Sequence, residues 1–85
     1  NRVLLYPSEY LKREYGYLEG QIKKILKNEE DDSYFIRAHL IHGDTSSFGK
    51  IIHIHPEMKG KCEIIIGEKT IFQMMKETVN EFSLN

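Results

Sequence analysis

Four histidines are the side chains in this 85-residue sequence whose type and spacing could support chemistry. His53 and His55 lie two positions apart, so on a β-strand both imidazoles would project from one face. His39 and His42 sit at the end of the preceding predicted strand, and a hairpin could bring the two pairs together. Three or four converging imidazoles could bind zinc or copper.

The alternation of His53 and His55 with isoleucines is also typical of a half-exposed strand. No carboxylate or thiolate at a supporting spacing strengthens the metal hypothesis. The sequence therefore predicts no resident metal, and the four histidines are the candidate ligands if one is bound.

Neither the carboxylates nor the hydroxyls form a catalytic pattern. The acidic run from Glu29 to Asp32 lies in a predicted exposed turn, whereas paired catalytic carboxylates need burial or a like-charge neighbour. Neither a nucleophile elbow nor a phosphate-binding glycine loop occurs. Cys62 is the single cysteine, which excludes an internal disulfide and fits a small residue within a strand. We therefore predict a non-enzymatic protein without catalytic residues or a cofactor.

Composition is that of one ordinary globular domain covering residues 1–85. Hydrophobic residues make up 40% of the chain and charged residues 29%. The net charge of −1 argues against a nucleic-acid-binding surface, which usually carries a basic excess. The sequence has no signal peptide or membrane-spanning run, and it opens directly into an apolar segment without an initiating Met, so we expect a fragment of a longer protein.

Short β-strands dominate the predicted elements of residues 1–67. One helical turn is expected within Ser8 to Glu14, with Ser8 as its N-cap and Gly16 at its end. The predicted strands are Val3 to Tyr6, Tyr17 to Leu26, Tyr34 to Ile41, Ile51 to His55 and Lys61 to Ile66.

Residues 68–85 are predicted to form a C-terminal amphipathic helix and tail. From about Lys69 to Phe82, apolar side chains recur at helical spacing, among them Ile71 and Met75. Docking on the sheet would bury this face. Alternatively, the apolar face of this helix packs on a partner protein or lies at a membrane surface.

Glycines within the predicted β region indicate its shape. Gly16 and Gly20 frame the start of the longest strand, where an interior glycine suggests a bulge, a corner or a close backbone approach. Gly49 and Gly60 mark later turns and are structural candidates too. Bent strands close small barrels, so we predict a mainly β fold, a small antiparallel β-barrel that lacks upstream strands, with the C-terminal helix.

Several segments in order resemble the C-terminal part of HlyD-like membrane fusion proteins, the periplasmic adaptor subunits of bacterial secretion systems. Tyr6-Pro7 followed by the run from Tyr15 to Ile25 is similar to the family pattern Tyr-Pro, then Tyr-Gly-x-Leu-x-Gly-x-Ile. Phe48-Gly49-Lys50 leading to Glu57-Met58-Lys59-Gly60 is similar to the family ending. The segment from Ser8 to Glu14 is longer than the usual link between the first two motifs.

The resemblance implies a mechanical function. Such adaptors link an inner-membrane ABC transporter to an outer-membrane channel for secretion of a peptide, a protein or a small molecule. Several copies pack into a ring in the periplasm, anchored in the inner membrane of a Gram-negative bacterium by a segment upstream of the region seen here. The family assigns no catalytic residue to this region.

A small ligand-binding module is the alternative function. Tyr10, Tyr15, Tyr17 and Phe48 could serve as stacking platforms beside lysines for an oligosaccharide or single-stranded nucleic acid. Such tyrosines, together with Tyr6, more commonly fill the rim of a small core.

Overall fold

One six-stranded sheet and a single helical turn make up the described protein. The computed structural model describes residues 1–30, 33–55, 58–75 and 80–83. Strand order in the sheet is β5-β4-β1-β2-β3-β6; the first five strands run antiparallel to their neighbours, and β6 runs parallel to β3. The elements are β1 (Arg2–Pro7), α1 (Lys12–Tyr15), β2 (Leu18–Asn28), β3 (Ser33–Leu40), β4 (Gly60–Ile66), β5 (Lys69–Met75) and β6 (Asn80–Ser83).

The described strands form an open sheet and do not close into a barrel. β5 and β6 lie at opposite edges, and no ladder joins them within the described ranges. A barrel requires its first and last strands to pair. The mainly β, antiparallel character predicted from the sequence is confirmed.

The predicted C-terminal helix is wrong for the residues that the structure describes. Lys69–Met75 form β5, which pairs with all of β4 through a two-residue turn at Gly67 and Glu68. Gly67 has φ 59°, the positive angle that tight hairpin turns require at their first central residue. The remaining described part of the predicted helix is β6, and residues 76–79 and 84–85 lie outside the described ranges. A short apolar run does not distinguish helix from strand by periodicity alone.

Two smaller predictions also differ from the structure. Ser8 does not cap α1, because its N–H and its Oγ both donate to the Lys59 carbonyl, at 2.8 and 3.1 Å. α1 follows Leu11 without a side-chain cap. The predicted strand from Ile51 to His55 is an extended connection whose single ladder contact is the Thr45–Ile51 bridge.

The core lies on one face of the sheet. The connection between β3 and β4, described at residues 41–55 and 58–59, adds Ile52 (0% exposed) and Met58 to this core. Apolar burial of this kind is the main stabilising term for a small domain. The strands contribute Val3, Leu5, Leu18, Ile36, Ala38, Leu40, Cys62 and Ile64.

Gly20 lies in β2, inside the sheet, where neighbouring side chains leave little room for a β-carbon. Such a carbon would lie 3.1 Å from Val3 Cγ1 and 3.2 Å from Ala38 Cβ. The bulge in β2 falls a little later, between Ile22 and Lys24. The tight neighbours of Gly20 are side chains, whereas the nearest backbone atom, the His39 carbonyl oxygen, would lie at an ordinary 3.5 Å, so the predicted close backbone approach is not seen.

Candidate functional site

One surface of the described residues is an aromatic groove with a basic rim. It has a volume of about 790 Å³, within the range of ligand-binding clefts. The side chains of Leu11 and Phe48 are 52% and 59% exposed, so the apolar lining is open to a partner. We call it the aromatic groove; its lining residues are Tyr6, Leu11, Lys12, Arg13, Gly16, Tyr17 and Phe48.

Three separate segments build the groove. Ser47 holds the loop that carries Phe48 against the start of β2, because the Ser47 N–H donates to the Tyr17 carbonyl at 2.8 Å. The Tyr17 N–H donates to Ser47 Oγ at 3.0 Å. Gly16 (φ 76°) ends α1 and allows Phe48 to approach: a β-carbon there would lie 3.3 Å from Phe48 Cδ1 and would clash with Ser47 Oγ.

Aromatic packing fixes the groove wall. The rings of Tyr6 and Tyr17 meet edge to face, with centroids 5.9 Å apart at 62°. Lys12 Nζ lies 4.6 Å from the centroid of the Tyr6 ring, a cation–π contact. The Tyr6 ring is therefore held in the groove wall by two contacts, one with the Tyr17 ring and one with the Lys12 ammonium group.

The Tyr6 hydroxyl is held protonated. Burial raises the pKa of Tyr6 to about 12, and the negative charge of the neighbouring Glu63 carboxylate adds to the increase. This hydroxyl is a hydrogen-bond donor at neutral pH and not a catalytic base.

The rim of the groove carries positive charge without a carboxylate partner. Among the described residues, neither Lys12 nor Arg13 forms a salt bridge, whereas Arg2 pairs with Glu19 at 3.3 Å and His55 with Glu9 at 2.6 Å. Two adjacent cations beside exposed aromatic rings form a surface that attracts an anionic group.

The other two tyrosines predicted as stacking platforms, Tyr10 and Tyr15, do not line the groove. Tyr10 and Tyr15 pack edge to face at 4.8 Å against the core, and Tyr10 Oη accepts a hydrogen bond from the His53 N–H at 3.0 Å. Lys50 Nζ lies 5.1 Å from the Tyr15 ring centroid. Of the four predicted platforms, Tyr17 and Phe48 line the groove.

The four candidate histidines do not converge in the described structure. His39 lies on β3 opposite Gln21, and His42 lies in the turn that follows. His53 and His55 are exposed on the connection between β3 and β4. Across residues 1–30, 33–55, 58–75 and 80–83, no group of three or more His, Cys, Asp or Glu side chains could hold a metal ion.

Cys62 belongs to the core. It is 2% exposed, and burial raises the pKa of its thiol to about 11. A thiol in this state is a weak nucleophile at neutral pH.

Gly60 and Gly49 serve different structural needs. A β-carbon at Gly60 would clash with the Tyr6 carbonyl oxygen and lie 2.8 Å from Pro7 Cα, so β4 approaches β1 closely there. Gly49 has φ 77° with open space around it, so its constraint is conformational.

Sequence reasoning missed the cationic rim. Lys12 and Arg13 sit next to the tyrosine-rich segment, and adjacent cations in a predicted helical turn beside aromatic residues were the available signal. Their placement depends on the turn being packed against β1, which no local pattern specifies.

No helix among the described residues is long and apolar enough to span a membrane. Comparisons with known proteins find no match among family models, curated proteins or solved structures.

Proposed function

We propose that this chain is a non-catalytic adaptor domain of the membrane fusion protein type. In this role it helps link an inner-membrane ABC exporter to an outer-membrane channel, in the periplasm, for secretion of a peptide, a protein or a small molecule. It would act by contact with neighbouring copies and with the exporter.

The main observation in support of this proposal is that the segments resembling adaptor motifs contact one another in the folded chain. Segments that are far apart in sequence and that resemble, in order, the motifs of the adaptors contact one another directly. Gly60 packs against the backbone of Tyr6 and Pro7, and Gly16 packs beside Phe48. An ordered set of motifs that forms one packed corner supports a common structural role better than motifs scattered over the surface.

The open sheet is compatible with a barrel completed by other strands. β5 presents an edge with an exposed aromatic side chain, Phe72 at 72%, on a sheet whose two edge strands do not pair with each other. Edge strands with free backbone groups readily accept a further strand. We propose that strands upstream of Val3 in the full-length protein complete the barrel.

Photo-crosslinking in cells tests the adaptor function. A photoreactive phenylalanine analogue is placed at Phe48 or at Phe72 of the full-length protein, and at the buried Ile64 as a control. We expect crosslinks from the two exposed positions to an ABC exporter, an outer-membrane channel or neighbouring copies, and none from Ile64. Crosslinks only to cytoplasmic proteins would reject the proposal, as would an independent gene of this length without a membrane anchor.

A ligand-binding module is the second candidate, favoured by the position of Tyr17 and Phe48 in one groove. Since the chain has no tryptophan, binding of an oligosaccharide or a dT10 oligonucleotide can be followed through tyrosine fluorescence. Saturable quenching that Phe48→Ala abolishes would favour this candidate over the adaptor.

A further inference from the structure

The aromatic groove combines three properties that together specify an occupant. Its walls are aromatic and aliphatic, its rim is cationic, and its apolar side chains are open to solvent. On a small domain, exposed apolar groups of this size rimmed by polar residues mark an interaction site. An occupant must therefore bring both an apolar side chain and negative charge.

We propose that the aromatic groove binds a short acidic peptide segment of a partner protein, with an aromatic or large aliphatic side chain between Tyr17 and Phe48 and a carboxylate at Lys12 and Arg13. The groove would then be one contact surface of the proposed adaptor, so this assignment of a partner rests on that function. Aromatic anchors in pockets beside charged rims are typical of interface hot spots.

The charges around the groove favour a short acidic segment over a nucleic acid. The Glu63 carboxylate is close enough to Tyr6 to raise the pKa of its hydroxyl, and Glu19 pairs with Arg2 further along the same face of the sheet. A continuous polyanion that followed the sheet would meet these carboxylates. A segment with one or two acidic side chains ends at the cationic rim and avoids them.

The lining disfavours a sugar as well. Carbohydrate hydroxyls need several convergent polar side chains for orientation. The polar side-chain groups of the lining are the hydroxyls of Tyr6 and Tyr17 and the two cations, which are too few to orient a sugar. A side chain without hydroxyls fits this lining better.

Peptide capture on the immobilised 85-residue chain tests the proposal. Three pools of capped hexapeptides are compared: acidic with one Phe or Leu, basic with one Phe or Leu, and acidic with Ser in place of the apolar residue. We expect at least tenfold greater retention of the first pool than of the other two. Equal retention of the acidic pools, or greater retention of the basic pool, would overturn the proposal.

Matched variants locate the binding. Phe48→Ala, and the double variant Lys12→Ala/Arg13→Ala, are expected to reduce retention of the acidic–apolar pool at least tenfold. Leu26→Ala and the double variant Lys23→Ala/Lys24→Ala remove exposed groups outside the groove and are expected to leave retention unchanged. If the control variants weaken retention as much as the groove variants do, the groove is not the site.

The same protein preparations also test two other possible occupants of the groove, a nucleic acid and a second copy of this chain. Binding of dT10 in preference to every peptide pool would identify a nucleic-acid groove and overturn the proposal. A wild-type chain that sediments as an oligomer, with Phe48→Ala monomeric, would identify a second copy as the occupant and also overturn it. Peptide capture without crosslinks to a secretion apparatus would support the peptide-binding groove and reject the adaptor function. Crosslinks to a secretion apparatus without peptide capture would support the adaptor function and reject the peptide-binding groove.

Discussion

Ser47 and Tyr17 are joined by two hydrogen bonds in opposite directions. The Ser47 N–H donates to the Tyr17 carbonyl at 2.8 Å, and the Tyr17 N–H donates to Ser47 Oγ at 3.0 Å. The pair ties the loop carrying Phe48 to the residue immediately before β2. The groove therefore depends on one side-chain hydroxyl for part of its shape.

Ser47→Ala is expected to destabilise the protein by about 1 kcal/mol, because the Tyr17 N–H loses its partner. Ser8→Ala is the matched control: the Lys59 carbonyl that accepts from Ser8 Oγ also accepts from the Ser8 N–H and stays satisfied. Urea denaturation measures both variants. Equal costs for the two substitutions would contradict the role assigned to Ser47.

Gly16→Ala is expected to cost more stability than Gly49→Ala, although both glycines have φ near +77°. Alanine at Gly49 has open space, so we expect the cost of the left-handed conformation alone, about 1–2 kcal/mol. Alanine at Gly16 would also clash with Ser47 Oγ and should cost at least about 1 kcal/mol more. Thermal and urea unfolding of both variants provide the comparison, and equal stability would show that Gly16 is not closely packed.

Ile52→Ala is expected to destabilise by about 2–5 kcal/mol, because Ile52 is fully buried under the sheet. Its neighbour Ile51 is 48% exposed, and Ile51→Ala should have a small effect. If Ile52→Ala does not fold, Ile52→Val, with an expected cost of about 0.5–1.5 kcal/mol, gives a measurable alternative. A greater loss of stability in Ile51→Ala than in Ile52→Ala would mean that Ile51, and not Ile52, faces the core.

Alkaline pH is expected to destabilise the protein through Cys62. Its thiol pKa is raised from 9.0 to about 11 in the folded state, so folding favours the protonated thiol. This contribution is complete below pH 9 and is lost as the pH rises from 9 through 11. Cys62→Val should flatten this part of the stability curve, as measured by urea unfolding at pH 8, 9.5 and 10.5. An unchanged slope in the variant would assign the alkaline effect to another group.

Stoichiometric zinc is expected to leave the melting temperature unchanged. The four histidines lie apart, and the described residues offer no cluster of three ligands. A rise in melting temperature with equimolar zinc, lost in His53→Gln, would restore the metal hypothesis.

Strands with strong local patterns could be predicted from the sequence. Apolar Val3 and Leu5 in β1, and alternating Ile36, Ala38 and Leu40 in β3, occupy the core face as their spacing predicts. Their burial follows from period-two alternation alone. The order of the strands does not, because β1 pairs with β4 across more than fifty residues of sequence.

The segment after Gly67 shows where local pattern is insufficient. Ile71 packs toward the core opposite Ile64, while Phe72 next to it is 72% exposed. A helix would place both on a broad apolar face, whereas pairing with β4 separates them. Tertiary pairing overrides the weak helical period here.

The candidate site could be predicted only in part. The aromatic members Tyr17 and Phe48 were identified from residue type, but the cations Lys12 and Arg13 were not. Their position at the groove follows from α1 ending at Gly16 beside Phe48, a contact between segments about thirty residues apart.

The central position of β1 has a consequence for synthesis of the chain. β1 pairs with residues 18–21 on one side and with residues 60–65 on the other. While the ribosome is still making the C-terminal third, β1 keeps one open, apolar edge. Such long-range closure slows folding and exposes intermediates to aggregation. Synthesis must therefore reach residue 65 before this middle strand can be paired on both sides.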